Sequence, residues 1–213
     1  CVDGLTRRRL DRPWIRKGGK LEAAGWDEAF GLIAKANPGS SIAAIAGDLV
    51  DCETMFAAKK LLGALGSSLL EGRQTGLAYD TSSLAAVAFN STFAGIEEAD
   101  AILIVGSQVR HEAALVNVRL RKAAKRGAKV FVIGPHWETT YDAEFLGDDA
   151  AMLGDLPTRV ADAMASATRP AIVLGGGGLA KGALGPLLAL ASEWGVVTDQ
   201  WNGFNVLHMA ASQ

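Results

Sequence analysis

Three short glycine-bearing stretches could bring backbone N–H groups to bear on a ligand: Gly106-Ser107-Gln108, Gly134-Pro135-His136 and Gly175 to Gly178. Each follows an apolar run that reads as a strand. In open parallel sheets, ligands bind beyond the carboxyl ends of the strands, next to helix N-termini. Anion recognition is the chemistry such turns support. The third stretch lacks the G-x-G-x-x-G spacing of a dinucleotide site, because Lys181-Gly182 comes too late, and no Lys-Ser/Thr pair makes a phosphate loop. It is expected to be a structural tight turn. His111, His136 and His208 stand far apart with no second ligand four residues away, so no metal site is expected. Cys1 and Cys52 are too few for an iron–sulfur cluster or a four-thiolate zinc site, and they fit a reducing compartment. Cys52 is expected as a small apolar residue on a buried helix face. No strand-to-helix turn carries a G-x-S-x-G elbow. These residues therefore make no complete catalytic or metal site.

The elements that must position the turns are legible as alternating patterns. Residues 1 to 25 read as a basic, turn-rich arm interrupted by Pro13 and Gly18-Gly19, and residues 26 to 213 as an α/β domain. Asp27 and Glu28 place negative charge in a first helical turn, and Ala29, Phe30 and Ile33 give that helix one apolar face before Asn37-Pro38-Gly39. Ser41 to Ala46 reads as a short buried strand. Asp48 is the expected N-cap of a following helix, with Met55, Ala58, Leu62 and Leu65 three or four apart and Gly66 closing it. An alanine-rich helix is expected around Leu84 to Phe89. Ala101 to Val105 and Lys129 to Ile133 are continuous apolar strands separated by one helix that ends near Gly127, the pattern of a crossover in a parallel sheet covered on both faces. Ala150 to Ala165 reads as helix, Ala171 to Leu174 as strand, Leu184 to Trp194 as helix, and Val196-Val197 as a last strand. The fold class this predicts is α/β, doubly wound and mostly parallel, Rossmann-like. Arg119, Arg121, Lys122, Lys125 and Arg126 gather at a helix C-terminus, where cations favour the dipole; a solvated face is expected, with a subunit contact as the alternative.

Composition narrows the partners. The chain has 213 residues, 49% hydrophobic and 21% charged, the balance of a folded globular protein rather than a disordered one. A formal net charge of -2 supplies no global field for nucleic acid or an anionic membrane. No apolar run approaches the roughly 18 residues needed to cross a bilayer. Arg7-Arg8-Arg9 is followed by Asp11, Arg12 and Pro13 where a twin-arginine export signal needs an apolar segment, so that reading is rejected. A start at Cys1 and a helix-like stop at Leu207 to Ala211 lead us to expect a domain of a longer protein.

Several segments taken together carry a family resemblance. They are Leu10-Asp11-Arg12-Pro13, Gly25-Trp26-Asp27-Glu28-Ala29-Phe30, Ala44-Ile45-Ala46-Gly47, Phe89-Asn90-Ser91-Thr92, Gly95-Ile96-Glu97-Glu98-Ala99-Asp100 and Arg119-Leu120-Arg121-Lys122. Thr140-Tyr141-Asp142, Leu146-Gly147 and Trp201-Asn202-Gly203-Phe204-Asn205-Val206-Leu207-His208 complete the set. In collinear order over nearly the whole chain, they resemble the large iron–sulfur subunits of respiratory complex I, NADH:quinone oxidoreductase. More distantly, the Trp-Asp-Glu-Ala helix start and the Ala-Asp-strand-Gly turn are similar to molybdopterin oxidoreductases such as formate dehydrogenase.

The resemblance implies a carboxy-terminal, molybdopterin-oxidoreductase-like domain that serves as structure within the peripheral arm, with no catalytic residue. In the cofactor-bearing relatives a turn like Gly106-Ser107-Gln108 and a second like Gly134, followed by a Thr such as Thr139 or Thr140, help hold a pterin guanine dinucleotide. Here these residues are expected to form a vestigial cleft, partly filled by Gln108, Arg110 and His136. The relatives' metal ligand follows an Arg near the position of Arg73, where this sequence has Gln74 and Thr75, neither a good molybdenum ligand. The 2Fe-2S and 4Fe-4S clusters belong to the parent subunit and none is expected in this stretch. Implied partners are the other peripheral-arm subunits, on the cytoplasmic side of the inner membrane, without nucleic acid or membrane insertion. The arm from Arg7 to Arg16 is expected to pack against the cluster-bearing region. The rival readings are a fragment of an active molybdopterin-dependent oxidoreductase and a free nucleotide-binding module.

Overall fold

The computed structural model describes residues 4, 7, 9–36, 39–47, 50–72, 77, 79, 80 and 82–208. The chain divides into two compact units, one of residues 1–46 with 50–72 and the other of residues 47–49 with 73–213.

In the first unit, β1 (Trp14–Lys17) and β2 (Lys20–Ala23) pair antiparallel around Gly18 and Gly19, both with positive φ. A two-residue Gly-Gly loop matches the twist of a hairpin, so the segment read as an arm contains a regular element. Helix α1 (Trp26–Ala36) starts with Asp27 and Glu28 in its first turn, as the sequence predicts, and the rings of Trp26 and Phe30 lie 5.5 Å apart. A short parallel pair, β3 (Ala44–Ile45) and β4 (Leu70–Glu71), flanks helix α2 (Cys52–Ala64) in sequence. The predicted cap Asp48 lies outside the described residues; Asp51 caps α2 by accepting a bond from Thr54 N–H at 2.7 Å. Cys52 is exposed rather than buried, because it is the first residue of α2 and the side turned inward carries Leu62.

The second unit holds the main sheet. In chain order it comprises α3 (Thr92–Gly95), β5 (Ala101–Val105), α4 (Val109–Glu112), α5 (Ala114–Lys125), β6 (Lys129–Ile133), β7 (Glu144–Gly147), α6 (Thr158–Ala165), β8 (Pro170–Leu174), α7 (Gly176–Ala180), α8 (Leu184–Glu193) and β9 (Phe204–Val206). The strands run in the order β7-β6-β5-β8-β9, all parallel. Every residue of β5 is buried, which is why the strand reads as an uninterrupted apolar run. Its alternate residues enter two cores: Leu103 and Val105 join Met164 of α6 and Leu187 of α8, while Ile102 and Ile104 join Val116, Leu120 and Ala123 of α5.

Four expectations are corrected here. The last strand is β9, not Val196-Val197: Val196 is buried in the core, whereas Val197 only makes an antiparallel bridge to Asn202. The helix expected over Ala150 to Ala165 is a 3-10 turn (Ala150–Gly154) followed by α6, separated at Pro157, which has no N–H to continue a helix. The alanine-rich segment forms only a 3-10 turn (Leu84–Ala86), since Phe89 is drawn into a bridge with Asn205. The basic run is more than a solvated face. Glu97, whose side chain is 11% exposed, is held by Arg119, by Lys122 at 3.0 Å and by Arg126 at 3.5 Å, and Arg126 also donates to its carbonyl at 3.2 Å.

The Arg119 guanidinium, then Lys122, holds the Glu97 carboxyl below the usual carboxylate range. A carboxylate with a depressed native pKa contributes stability above its unfolded pKa and loses it as the pH falls through its folded one. Glu97→Gln is therefore expected to lower stability at neutral pH. The gap from wild type should narrow steadily as the pH falls through the carboxylate range, measured by denaturant titrations at several pH values.

Candidate functional site

The turns after β5, β6 and β8 meet at the carboxyl end of the sheet because their strands are hydrogen-bonded neighbours in register. Gly106 N–H donates to Ile133 O at 2.8 Å, Gly175 N–H to Val105 O at 2.9 Å and Gly177 N–H to Gly106 O at 2.9 Å. Between them lies a cleft of about 200 Å³, lined by Gly106, Ser107, Gln108, Gly134 and Pro135, and by Glu112, Asp148 and Lys181. The juxtaposition of the first two turns is as the sequence predicts.

Not every expected residue reaches this cleft. Thr139 Oγ1 donates to Tyr141 O at 2.6 Å, and Thr140 Oγ1 accepts from Asn117 Nδ2 at 3.2 Å, so both side chains are engaged outside the cleft, one within its own loop and one on α5. Arg110 reaches Glu138 at 3.3 Å, and the ring of His136 packs at a tilt against Phe145 with centroids 4.4 Å apart. Arg73, Gln74 and Thr75 lie outside the described residues. Tyr141 is pushed above the usual phenol range by burial, so at neutral pH its hydroxyl keeps its proton.

The sequence reading missed Glu112. Its Oε2 accepts from Ser107 Oγ at 2.7 Å and its Oε1 from Gln108 N–H at 3.0 Å, which closes the start of α4 from within. The signal was there to find: an acidic residue one turn into a helix, reaching back to the N–H at its start, is the logic of a capping box. Lys181, also missed, donates to Asp148 O at 2.7 Å, and both residues line the cleft.

Backbone packing explains the glycines. Gly106 has φ +63°, and a Cβ there would lie 1.8 Å from Gly178 N. A Cβ at Gly177 would lie 2.8 Å from Gly106 O, so the loop entering α7 rests backbone to backbone on the β5 turn.

A pterin guanine dinucleotide needs free backbone donors for its phosphates and room for its rings. Here the N–H groups of Gly106, Gln108, Gly134, Gly175, Gly177 and Gly178 all donate to protein oxygens. The cleft is smaller than the roughly 300–1,000 Å³ of sites that bury a drug-sized ligand. Its lining also includes the Glu112 carboxylate, whose charge opposes an incoming phosphate. The residues at these strand ends therefore do not fit that cofactor. Among the described residues, no group of three or more His, Cys, Asp or Glu side chains is placed to hold a metal ion. None of the described helices is long and apolar enough to cross a membrane.

Comparison with known proteins agrees with this architecture. The molybdopterin oxidoreductase family model matches residues 9–213. Among relatives, a subunit of the NADH-quinone oxidoreductase of Rickettsia prowazekii is 37% identical over 100% of this chain and 33% of its own length. The mitochondrial 78 kDa subunit of NADH-ubiquinone oxidoreductase from Neurospora crassa is 37% identical over 100% of this chain and 31% of its own. The mitochondrial NADH dehydrogenase [ubiquinone] iron-sulfur protein 1 of Solanum tuberosum is 35% identical over 99% of this chain and 30% of its own. The chain thus spans about a third of the relatives it matches.

Two glycine substitutions separate strain from collision. Gly182, with φ +72° and no neighbour within 4 Å of an added Cβ, should lose about 1–2 kcal/mol as Gly182→Ala, the cost of a left-handed L-residue. Gly106→Ala carries that strain and the Gly178 backbone clash, so it should unfold at distinctly lower denaturant than Gly182→Ala, with the slope of the transition unchanged in both.

Proposed function

The chain belongs to the molybdopterin oxidoreductase family, and from that membership we propose that it is a structural, cofactor-free part of the large iron–sulfur subunit of an NADH:quinone oxidoreductase. It sits in the peripheral arm that passes electrons from NADH to quinone. The observation that carries this reading is the engagement of the donors at the strand ends. Most of the backbone N–H groups at these turns, those of Gly106, Gln108, Gly134, Gly175, Gly177 and Gly178, are bonded to this chain's own carbonyls and to Glu112. Strand ends wired in that way hold their turns together and offer little to a dinucleotide.

On this reading residues 26–213 form the molybdopterin-oxidoreductase-like domain, and residues 1–25, hairpin included, pack against the cluster-bearing part of the parent subunit. The iron–sulfur clusters belong to that part, and this chain alone oxidises no NADH. Gly106, Ser107, Gln108 and Gly134 are the remains of an ancestral cleft, with Thr139 and Thr140 beside it. The partners are the other subunits of the peripheral arm, on the cytoplasmic side of the inner membrane, with neither nucleic acid nor bilayer insertion. A second reading, a fragment of an active molybdopterin-dependent oxidoreductase, is favoured by the convergence of all three glycine turns at one end of the sheet.

Elemental analysis of the assembled complex, purified from cells supplied with molybdate and tungstate, distinguishes the two. Iron is expected in stoichiometric amount, with molybdenum and tungsten far below one atom per complex. Stoichiometric molybdenum or tungsten that is lost with this subunit would establish the second reading instead.

A further inference from the structure

We propose that the outward face of α5 docks an acidic segment of a neighbouring subunit, seated by an apolar side chain. This deepens the reading of the chain as one part of a larger complex and rests on it. Helix α5 turns Val116, Leu120 and Ala123 into the core. Positions 115, 118, 121, 122 and 125, mostly three or four apart, lie on the outward side. The first half of that side is apolar: Leu115 is 72% exposed and Val118 51%. Phe93 on α3, which packs against α5, is 51% exposed as well. Exposed apolar residues scattered singly need no explanation, but these three lie on two helices that pack together.

The second half is cationic, and the excess is local. Residues 73–213 contain eleven Lys and Arg against fourteen Asp and Glu, yet five of those eleven cations fall between positions 119 and 126. Glu97 engages Arg119, Lys122 and Arg126, a single negative charge among three positive ones. Arg121 and Lys125 have no carboxylate partner among the described residues. The Glu97 cluster also fixes the helix against the preceding turn, so the surface is presented in one geometry before a partner arrives, which lowers the ordering cost of binding.

The charge selects the occupant. A second copy of the chain would bring the same cationic patch across a two-fold axis and be repelled. A nucleic acid would use the cations but leave Leu115, Val118 and Phe93 uncovered. An acidic polypeptide with one large apolar residue satisfies both halves, the charges setting register and the apolar anchor supplying desolvation.

The test uses the full-length parent subunit in its assembled complex. With Leu115→p-benzoylphenylalanine, irradiation should attach the subunit to a different polypeptide of the complex, on a peptide carrying Asp or Glu. In parallel, Arg121→Glu with Lys125→Glu should weaken retention of the subunit by about tenfold or more in a salt-wash series, while its thermal unfolding falls only by the small cost of reversing charge in the last turn of a helix. An adduct within the same chain, an adduct to lipid or nucleic acid, or unaltered retention of the double variant overturns the proposal while leaving the functional reading intact. A wild-type subunit that never co-purifies with an NADH-oxidising complex overturns both.

Discussion

The five peptide units of β5 carry side chains with no polar atom and no face toward water, and an orphaned buried N–H or C=O costs on the order of 1–3 kcal/mol. They must therefore be paired on both edges, and β6 and β8 do this in parallel register from Ala101 to Val105. Parallel neighbours cannot be joined by a tight turn, so each connection has to cross over the sheet, and the helices that do so cover its two faces. Burial of one strand thus leads to the layered architecture, to the two separate cores, and to the meeting of the Gly106, Gly134 and Gly175 turns at one end.

The periphery is secured differently, by polar groups that bridge long sequence separations. Asn205, fully buried on edge strand β9, accepts from Ser91 N–H at 2.8 Å and places its amide nitrogen within reach of Ser91 Oγ, Gly203 O and Ile172 O. Asn90 Nδ2 returns the connection to Phe204 O at 2.6 Å. Such satisfied networks specify one arrangement, because a shifted register leaves several buried polar atoms unpaired. Glu97 plays the corresponding part on the α5 side. Both sites fall within segments that carried the family resemblance, which gives those motifs a physical reason that is not catalytic.

The same logic changes how the glycine turns are understood. Glycine next to a strand end suggests a ligand that approaches the backbone closely, yet here what approaches is another stretch of the same backbone, Gly177 and Gly178 against Gly106. The chemistry the turns could support and the packing they perform require the same residue. What separates the two uses is whether the neighbouring N–H groups remain free, and most of them donate to carbonyls or to Glu112.

The parallel α/β class, strands β5, β6 and β8, the helix ending at Gly127 and the adjacency of the 106–108 and 134–136 turns were legible in the residues alone, because apolar periodicity and glycine placement are local properties. Strand β7, the replacement of Val196-Val197 by Phe204–Val206 as the last strand, and the exposure of Cys52 were not, since each depends on which surface a segment meets after folding. Partnership was equally hidden. The family resemblance put Thr139 and Thr140 near a cleft and left Glu112 unremarked, whereas the fold engages those threonines elsewhere and puts Glu112 on the donors. A basic run read as a solvated face became a clasp around Glu97 for the same reason. Residue type and spacing determine which interactions are available, and only the three-dimensional path of the chain, set by what can be buried together, decides which of them are made.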